Sequence, residues 1–584
     1  MTLCRLSLLA ALTCVQALPA AARPDAVRPP IYVYTLDPGA KGPAAYDEVT
    51  TLTSLQGLIN RARPLLYVDN PGYGRPKYWL DRLVADGQWL HGREQVKVDT
   101  LDAVFALAKP HVKGAVIWDP EVPATVNVAT TAAGVENAVV LSPDMAEKVA
   151  VRWGLRVLRD FRGVFTGAET GSRKNDAYRW AIRQYIEAGK CDPHWLSLFT
   201  DAYADRPAGQ NAYNIVRDWA VTNRSFVFDL SPWGDEKPAD DLGQALGTDL
   251  ATYKMILAAT QKQARGRRMT ELTGFFSFSK YANMPDHPSA HDPVPTEWQT
   301  VWLISPYNCY QNTATEFCYN QSFHRHAPRK PLKQPKPAPA PAPKLRNTNY
   351  VAILMADYDS AYPLYHFLPK NWEDPKRGAL PLSWGINPNL LETYPDIIST
   401  FYQTATPNDH FVADASCAGY INPNRVLPEH LPLLVNHNRR FYREADMSIS
   451  GMVLDWDQPS PAVKDAFLKF SPGGFATIVD DMHERKGRHP DPHVWKGMPV
   501  VRLINHMDPN NTDYSVRVLH DMVQNRKPNE PGFTYWRCVW VTPSQIQAVV
   551  DGYRAKYPGE EIELVSLHTF FSLFKQHYGP GAKP

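Results

Sequence analysis

Seven prolines fall between Pro328 and Pro343. No strand or helix can run through such a stretch, because each ring fixes φ and removes an amide donor. The alternating Pro-Ala part extends as a polyproline helix, advancing ~3.1 Å per residue. A domain boundary is therefore expected here, with a Pro-rich linker over 328–346 acting either as a flexible tether or as a long surface loop between domains that still pack together. The chain of 584 residues also exceeds the ~250–300 residues that one core supports. Residues 23–175 read as N-terminal α/β structure, 176–327 as a middle α/β domain, and 347–584 as a C-terminal domain.

Residues 1–22 carry the pattern of an export signal. Arg5 supplies positive charge, Leu6 to Val15 is mostly apolar, and Ala20-Ala21-Ala22 offers a small-residue cleavage site. The apolar run is too short to span a bilayer, and no later segment resembles a membrane span. A secreted or periplasmic protein is expected, with no integral membrane segment after cleavage.

Apolar runs alternate with helical patterns along the rest of the chain. Ile31–Tyr34, Leu65–Val68, Gly114–Trp118 and Asn137–Leu141 read as strands, with helices at 51–61, 78–86 and 100–109 between them. Further strands are expected at 225–230, 274–278 and 300–304, with helices at 177–188 and 249–263. Beyond the linker, strands at 350–355, 410–413, 450–454, 476–479 and 500–504 alternate with helices at 389–404, 431–445, 512–525, 543–556 and 567–577. This order implies parallel sheets with crossover helices. The C-terminal domain fits a β/α barrel, complete or of fewer than eight strands, with an open parallel sheet as the competitor.

Several chemistries find no support. The net charge of +2 gives no electrostatic case for nucleic acid. No glycine-rich phosphate loop follows a strand, and no cofactor is expected. Neither a Gly-x-Ser-x-Gly elbow nor a His-Glu-x-x-His helix is present. The five cysteines beyond the signal are odd in number, so a full disulfide framework is not expected, although a Cys309–Cys318 bridge fits their proximity and an oxidising compartment.

Parallel α/β folds bind ligands at the carboxyl ends of their strands. Asp357 and Asp359 follow the strand at 350–355. Asp409 enters and Asp414 leaves the next candidate strand, and Tyr420 and Asn422 sit in a Gly/Pro-bounded loop beyond it. Trp384 and Asn387 mark another strand end, while Asp455, Asp457, Asp480, Asp481 and His506 follow later ones. An Asp here serves proton transfer or sugar binding, or simply caps the following helix. His366, His483 and His506 match no closed metal motif, and no metal site is expected.

The loop Cys417-Ala418-Gly419-Tyr420-Ile421-Asn422-Pro423 resembles the motif Gly-x-Gly-Tyr-x-Tyr-Pro. It gives its name to the GxGYxYP family, which is labelled as glycoside hydrolases. Gln56-Gly57-Leu58-Ile59-Asn60-Arg61, Phe228-Asp229-Leu230-Ser231 with Asp240-Asp241, Asn320-Gln321-Ser322-Phe323 and Trp384-Gly385-Ile386-Asn387-Pro388 look like that family as well. Two positions depart from the motif. Ala418 or Cys417 stands for its first glycine, and Asn422 for its second tyrosine. The resemblance implies several small N-terminal domains packed on a larger C-terminal one, and a sugar-related role.

The expectation is a glycoside hydrolase acting on an extracellular or periplasmic oligo- or polysaccharide. Asp357, Asp359, Asp409 and Asp414 are the candidate acids. Trp384, Asn387, Tyr420, Asn422, Asp455, Asp480, Asp481 and His506 are the candidate sugar contacts. A metal-dependent carbohydrate deacetylase and a non-catalytic glycan-binding protein are the alternatives.

Overall fold

The computed structural model describes residues 28–208, 214–335, 344–454, 459–478, 492–505, 507–524 and 526–579. Three parallel sheets build the N-terminal half. One orders its strands Leu66–Asp69, Ile31–Thr35, Gln95–Val98, and a second Ala138–Leu141, Gly114–Ile117, Val157–Asp160. The third runs Cys309–Asn312, Thr270–Gly274, Trp195–Leu198, Phe226–Phe228.

The helix Gly42–Ile59 is buried almost all round, as expected of a helix enclosed between layers. Its polar side chains are consumed by neighbouring backbone. Ser54 accepts from the Val140 amide at 3.1 Å, and Asn60 accepts from the Leu65 and Leu66 amides. Gly57 leaves room for the crossing helix Arg217–Asn223, since a Cβ there would lie 2.7 Å from the Asp218 carbonyl. Asn320 completes the free edge of the strand at 66–69 by exchanging two bonds with Val68. These segments of the family resemblance are structural.

Two corrections arise here. The stretch 300–304 is the end of a helix, Pro293–Ile304, not a strand. Its buried positions Thr296, Thr300, Val301 and Ile304 follow helical spacing, and prolines occupy its first turn, where a missing amide costs nothing. The strand expected at 274–278 instead covers Thr270–Gly274, and Phe278–Tyr281 is helical. Cys309 and Cys318 are free, buried thiols, as are Cys191, Cys417 and Cys538. Burial pushes Cys309 up to about 12.

The C-terminal domain centres on Asn349–Ala356, buried along its whole length. It pairs in parallel with Gly532–Val539 on one side and with Leu382–Gly385 on the other, which in turn pairs with Asp409–Val412. A second group of strands, Ile449–Leu454, Gly474–Ile478 and Met498–Arg502, continues the wall. The two groups meet at a parallel bridge between Ala413 and Ser450, and again where the chain runs from Met498–Arg502 into Ile504–Asn505 beside Gly532–Val539. The strands therefore curl toward a barrel. The start of the Pro-rich tract packs against this wall. Leu332 donates to Glu444, and Gln334 bonds both amide and carbonyl of Phe411.

Candidate functional site

Four parallel strands deliver their ends to one acidic mouth. Asp357 leaves the central strand with φ +65°, a left-handed conformation uncommon for a non-glycine residue. That turn aims its amide at Asp414, donating to Oδ2 at 2.9 Å. Arg537, from Gly532–Val539, donates to Asp357 Oδ1 at 2.5 Å, and Trp540 Nε1 donates to the Asp357 carbonyl at 2.9 Å. Amide, carboxylate and carbonyl of one residue are thus held by three separate groups. Backbone strain of this kind persists only where surroundings over-determine it, and it collects at functional sites.

Asp414 is fully buried. Its amide donates to Asn387 Oδ1 at 3.1 Å, and its Oδ1 accepts from the Ala415 amide at 3.0 Å. Gly385, ending the neighbouring strand, makes space for it, because a Cβ at 385 would lie 2.2 Å from Asp414 Oδ2. The helix Pro293–Ile304 adds Glu297 from the middle region, whose charge acts on both Asp357 and Asp359. Val301 of the same helix packs with Ala415 and Tyr420, with Trp298 and Trp302 against them.

Burial and like charge set the electrostatics. Burial, then Asp357, raises Asp414 to about 7. Burial, then Asp357, raises Glu297 to about 8. Burial raises Asp359 well above the carboxylate range, reinforced by Asp414, Asp357 and Glu297. Burial also raises nearby Glu316 to about 7. Arg537 opposes the shifts of Asp359, Asp414 and Glu297 but is one cation among several acids. Carboxyls crowded in this way cannot all ionise together, so some hold protons near neutrality.

The loop at 413–423 packs against the helix Pro293–Ile304 and the third sheet. Ala415 and Ser416 both take positive φ, and the Ser416 amide donates to Met452. Gly419 has φ +102°, and a Cβ there would lie 2.1 Å from the Tyr310 ring, so glycine is required twice over. Tyr420 exchanges both backbone bonds with Gln311 of the third sheet. This pins the loop to the middle region. The Tyr420 hydroxyl is buried without a hydrogen-bond partner and feels Glu297 and Asp359.

The structure therefore brings Asp357, Asp359, Asp414, Asn387 and Tyr420 together. Asn422 lies at the loop's end, 3 % exposed, with its amide donating to Ser305. Asp409 stands apart at the entering end of its strand. It is paired with Arg377 at 2.5 Å and accepts from Thr406 and from Trp384 Nε1. Trp384 is completely buried against Trp372 and Tyr358, a core residue with no face for a sugar. His366 is buried and bonds the Phe317 carbonyl; burial lowers it to about 3. Asp455, Asp457, Asp480, Asp481, His483 and His506 lie outside the described residues.

The sequence does not mark Glu297, because the β-branched end of its helix resembles a strand, and it marks the strand of Arg537 only weakly. Phe533-Thr534-Tyr535-Trp536 after Pro531-Gly532 is the β-rich signal that marks it. Among the described residues, no three His, Cys, Asp or Glu side chains are disposed to share a metal ion, and no helix is long and apolar enough to cross a membrane.

Two family models match this chain. Residues 347–575 match the "GxGYxYP putative glycoside hydrolase C-terminal domain", and residues 112–188 match the "GxGYxYP_N second domain". No curated protein matches. The crystal structure of "a putative hydrolase from Bacteroides thetaiotaomicron VPI-5482" superposes with TM-score 0.69 at 17 % identity, covering 94 % of this chain and 96 % of that one. The two share a fold. A structure titled "T48 deacetylase with substrate", 12 % identical over 38 % of this chain and 92 % of its own, reaches only TM-score 0.19 and supports no argument.

Proposed function

Because the chain belongs to the GxGYxYP family, we propose that it is a glycoside hydrolase whose chemistry is done by the carboxyl cluster at the strand ends. The observation that carries this reading is the crowding of Asp357, Asp359, Asp414 and Glu297 around one guanidinium. Glycosidic cleavage needs a carboxyl that still holds its proton near neutral pH and a second that has lost it. Glu297, raised to about 8 and partly open to solvent, serves as the proton donor to the leaving oxygen. Asp357, paired with Arg537 and 26 % exposed at its side chain, faces the opening as the carboxylate partner. Asp359 and Asp414 tune the pair by charge, and the Tyr420 hydroxyl is free to accept or donate a bond to a sugar. The export signal read at residues 1–22 supports an extracellular or periplasmic glycan as substrate.

The test is reducing-end release from a broad panel of glycans, comparing the wild type with Glu297→Gln and Asp357→Asn. Circular dichroism establishes that each variant is folded. Release by the wild type that falls at least a hundredfold in both variants supports the assignment. Release that persists in both overturns the assignment of these two groups, and release from no glycan overturns the hydrolase.

A further inference from the structure

A cleft of about 860 Å³ lies on the far side of the middle sheet, at the ends where its strands begin. Its wall is built from the residues just before Trp195–Leu198, Phe226–Phe228 and Thr270–Gly274, together with Arg61 at the end of the long buried helix and Arg325. Arg61, Lys190, Arg224, Arg267, Arg268 and Arg325 line it, against only Asp192 and Glu392.

The two acids offset these cations only in part. Glu392 is engaged by Arg440 at 2.8 Å and Arg329 at 3.6 Å, and Asp192 accepts from the His194 amide. No ion pair to Arg61, Arg224, Arg267, Arg268 or Arg325 occurs among the described residues. Arg61 spends its donors on the carbonyls of Gly134 and Val221 and on Asn137, at the closing ends of two helices. Arg224 and Arg267 are exposed with no structural bond to lose. The cations also press on one another. Burial lowers Arg61 to about 10, and Arg224 pushes the same way. Burial lowers Arg325; Glu392 opposes the shift, while Arg329 and Arg268 add to it. A chain with net charge of only +2 has no general surplus to explain such crowding.

A second cavity shares a lining residue with it. His326 lines both this cavity and one of about 630 Å³, which carries Arg28, Arg63, Arg93 and Lys330. The single acid there, Asp396, is buried in a pair with His324 at 2.8 Å. This basic trough, two cavities sharing a lining residue, suits an extended polyanion better than one small ion. Guanidinium forks match carboxylate and sulfate oxygens in pairs. Nucleic acid would add stacking of bases on aromatic faces. Of the indoles in these walls, Trp195 already lies beneath Arg268 at 5.2 Å and Trp89 packs against Phe323.

We infer that this trough is a second binding site, separate from the carboxyl cluster, for a chain of acidic sugars carrying uronate carboxylates or sulfate esters. It would hold an anionic glycan by its charge.

Calorimetry on the full chain at pH 7 tests this. Its probes are a polygalacturonate dodecamer, a chondroitin sulfate dodecamer, a neutral cello-oligosaccharide and a single-stranded oligonucleotide of matched charge. The expected result is binding of the polygalacturonate or the chondroitin sulfate, or both, distinguishing the two anion sources. Affinity should fall at least tenfold in Arg224→Asn/Arg267→Ser and fall steeply with salt, as exposed charges are screened. The variant Glu297→Gln should bind as the wild type does. Unchanged affinity in the double variant, equal binding of the neutral oligosaccharide, or tighter binding of the oligonucleotide would each overturn the inference. Because binding is read without turnover, acidic-glycan binding with no bond cleavage leaves this site standing while removing the hydrolase.

Discussion

The carboxylate of Asp414 occupies the space that Gly385 leaves by having no side chain; a Cβ at 385 would lie 2.2 Å from Asp414 Oδ2. One strand end is hollowed to receive the acid of the next. Gly385→Ala should therefore displace Asp414, cost about 1–3 kcal/mol as an overpacked site does, and reduce glycan turnover at least tenfold. Urea unfolding beside the release assay checks both. Wild-type stability in the variant would show that the strands part without effort.

Removing the one cation that the described residues place in the mouth leaves Asp357 and Asp414 facing each other. Arg537→Met should destabilise by about 2–4 kcal/mol, below the figure for a fully buried pair because Asp357 keeps 26 % side-chain exposure. Adding Asp357→Asn should restore part of that loss. The coupling in the double-mutant cycle, measured by chemical unfolding, is the readout.

Stability should decline as pH rises. Asp414 and Glu297 hold protons up to about 7 and about 8 in the folded chain, whereas an unfolded carboxyl releases them near ~4. Between those values the folded state binds more protons than the unfolded one, so unfolding free energy falls from pH ~4 to ~8. Glu297→Gln should flatten the upper part of that slope. Unfolding midpoints at pH 5, 6, 7 and 8 give the comparison, and a flat or rising profile, or a falling one that Glu297→Gln leaves unchanged, would remove Glu297 as its cause.

Gly419 is required both for its φ of +102° and for the Tyr310 ring pressed against it. Gly419→Ala should cost about 2–5 kcal/mol, combining left-handed strain with overpacking. Tyr310→Ala/Gly419→Ala should recover only the steric part. Thermal unfolding of Gly419→Ala, Tyr310→Ala and the double variant separates the two contributions.

All five described cysteines are buried thiols, Cys309 and Cys318 included. A thiol reagent should label none of them in the native protein and all five in denaturant. Mass spectrometry of the labelled chain reads the count.

Continuous apolar runs such as Tyr350–Met355 read correctly as buried parallel strands because their period and composition leave little else. The acids at their ends followed from that, and Asp357, Asp359 and Asp414 do converge. Asp409 failed the same reasoning because it enters its strand, where Arg377 and Trp384 use it as a brace. Trp384 shows the limit for aromatic residues, since nothing local distinguishes a core indole from an exposed one. Glu297 was hidden by Thr300-Val301-Trp302-Leu303-Ile304, five residues whose β-branched character resembles a strand while their burial pattern is helical. The basic trough was not legible either, since its arginines are scattered from Arg28 to Arg325 and only the fold gathers them.

Gln334 offers its side-chain amide to both backbone groups of Phe411, where another strand would otherwise pair. The segment just before the matched C-terminal region, which begins at residue 347, thus works as a stopper on an open sheet margin. A fragment cut to that boundary would expose unpaired backbone, and such margins join to their counterparts on other molecules. Dissection of this protein into its parts should therefore begin no later than Pro328, or the excised piece will self-associate for reasons unrelated to its own core.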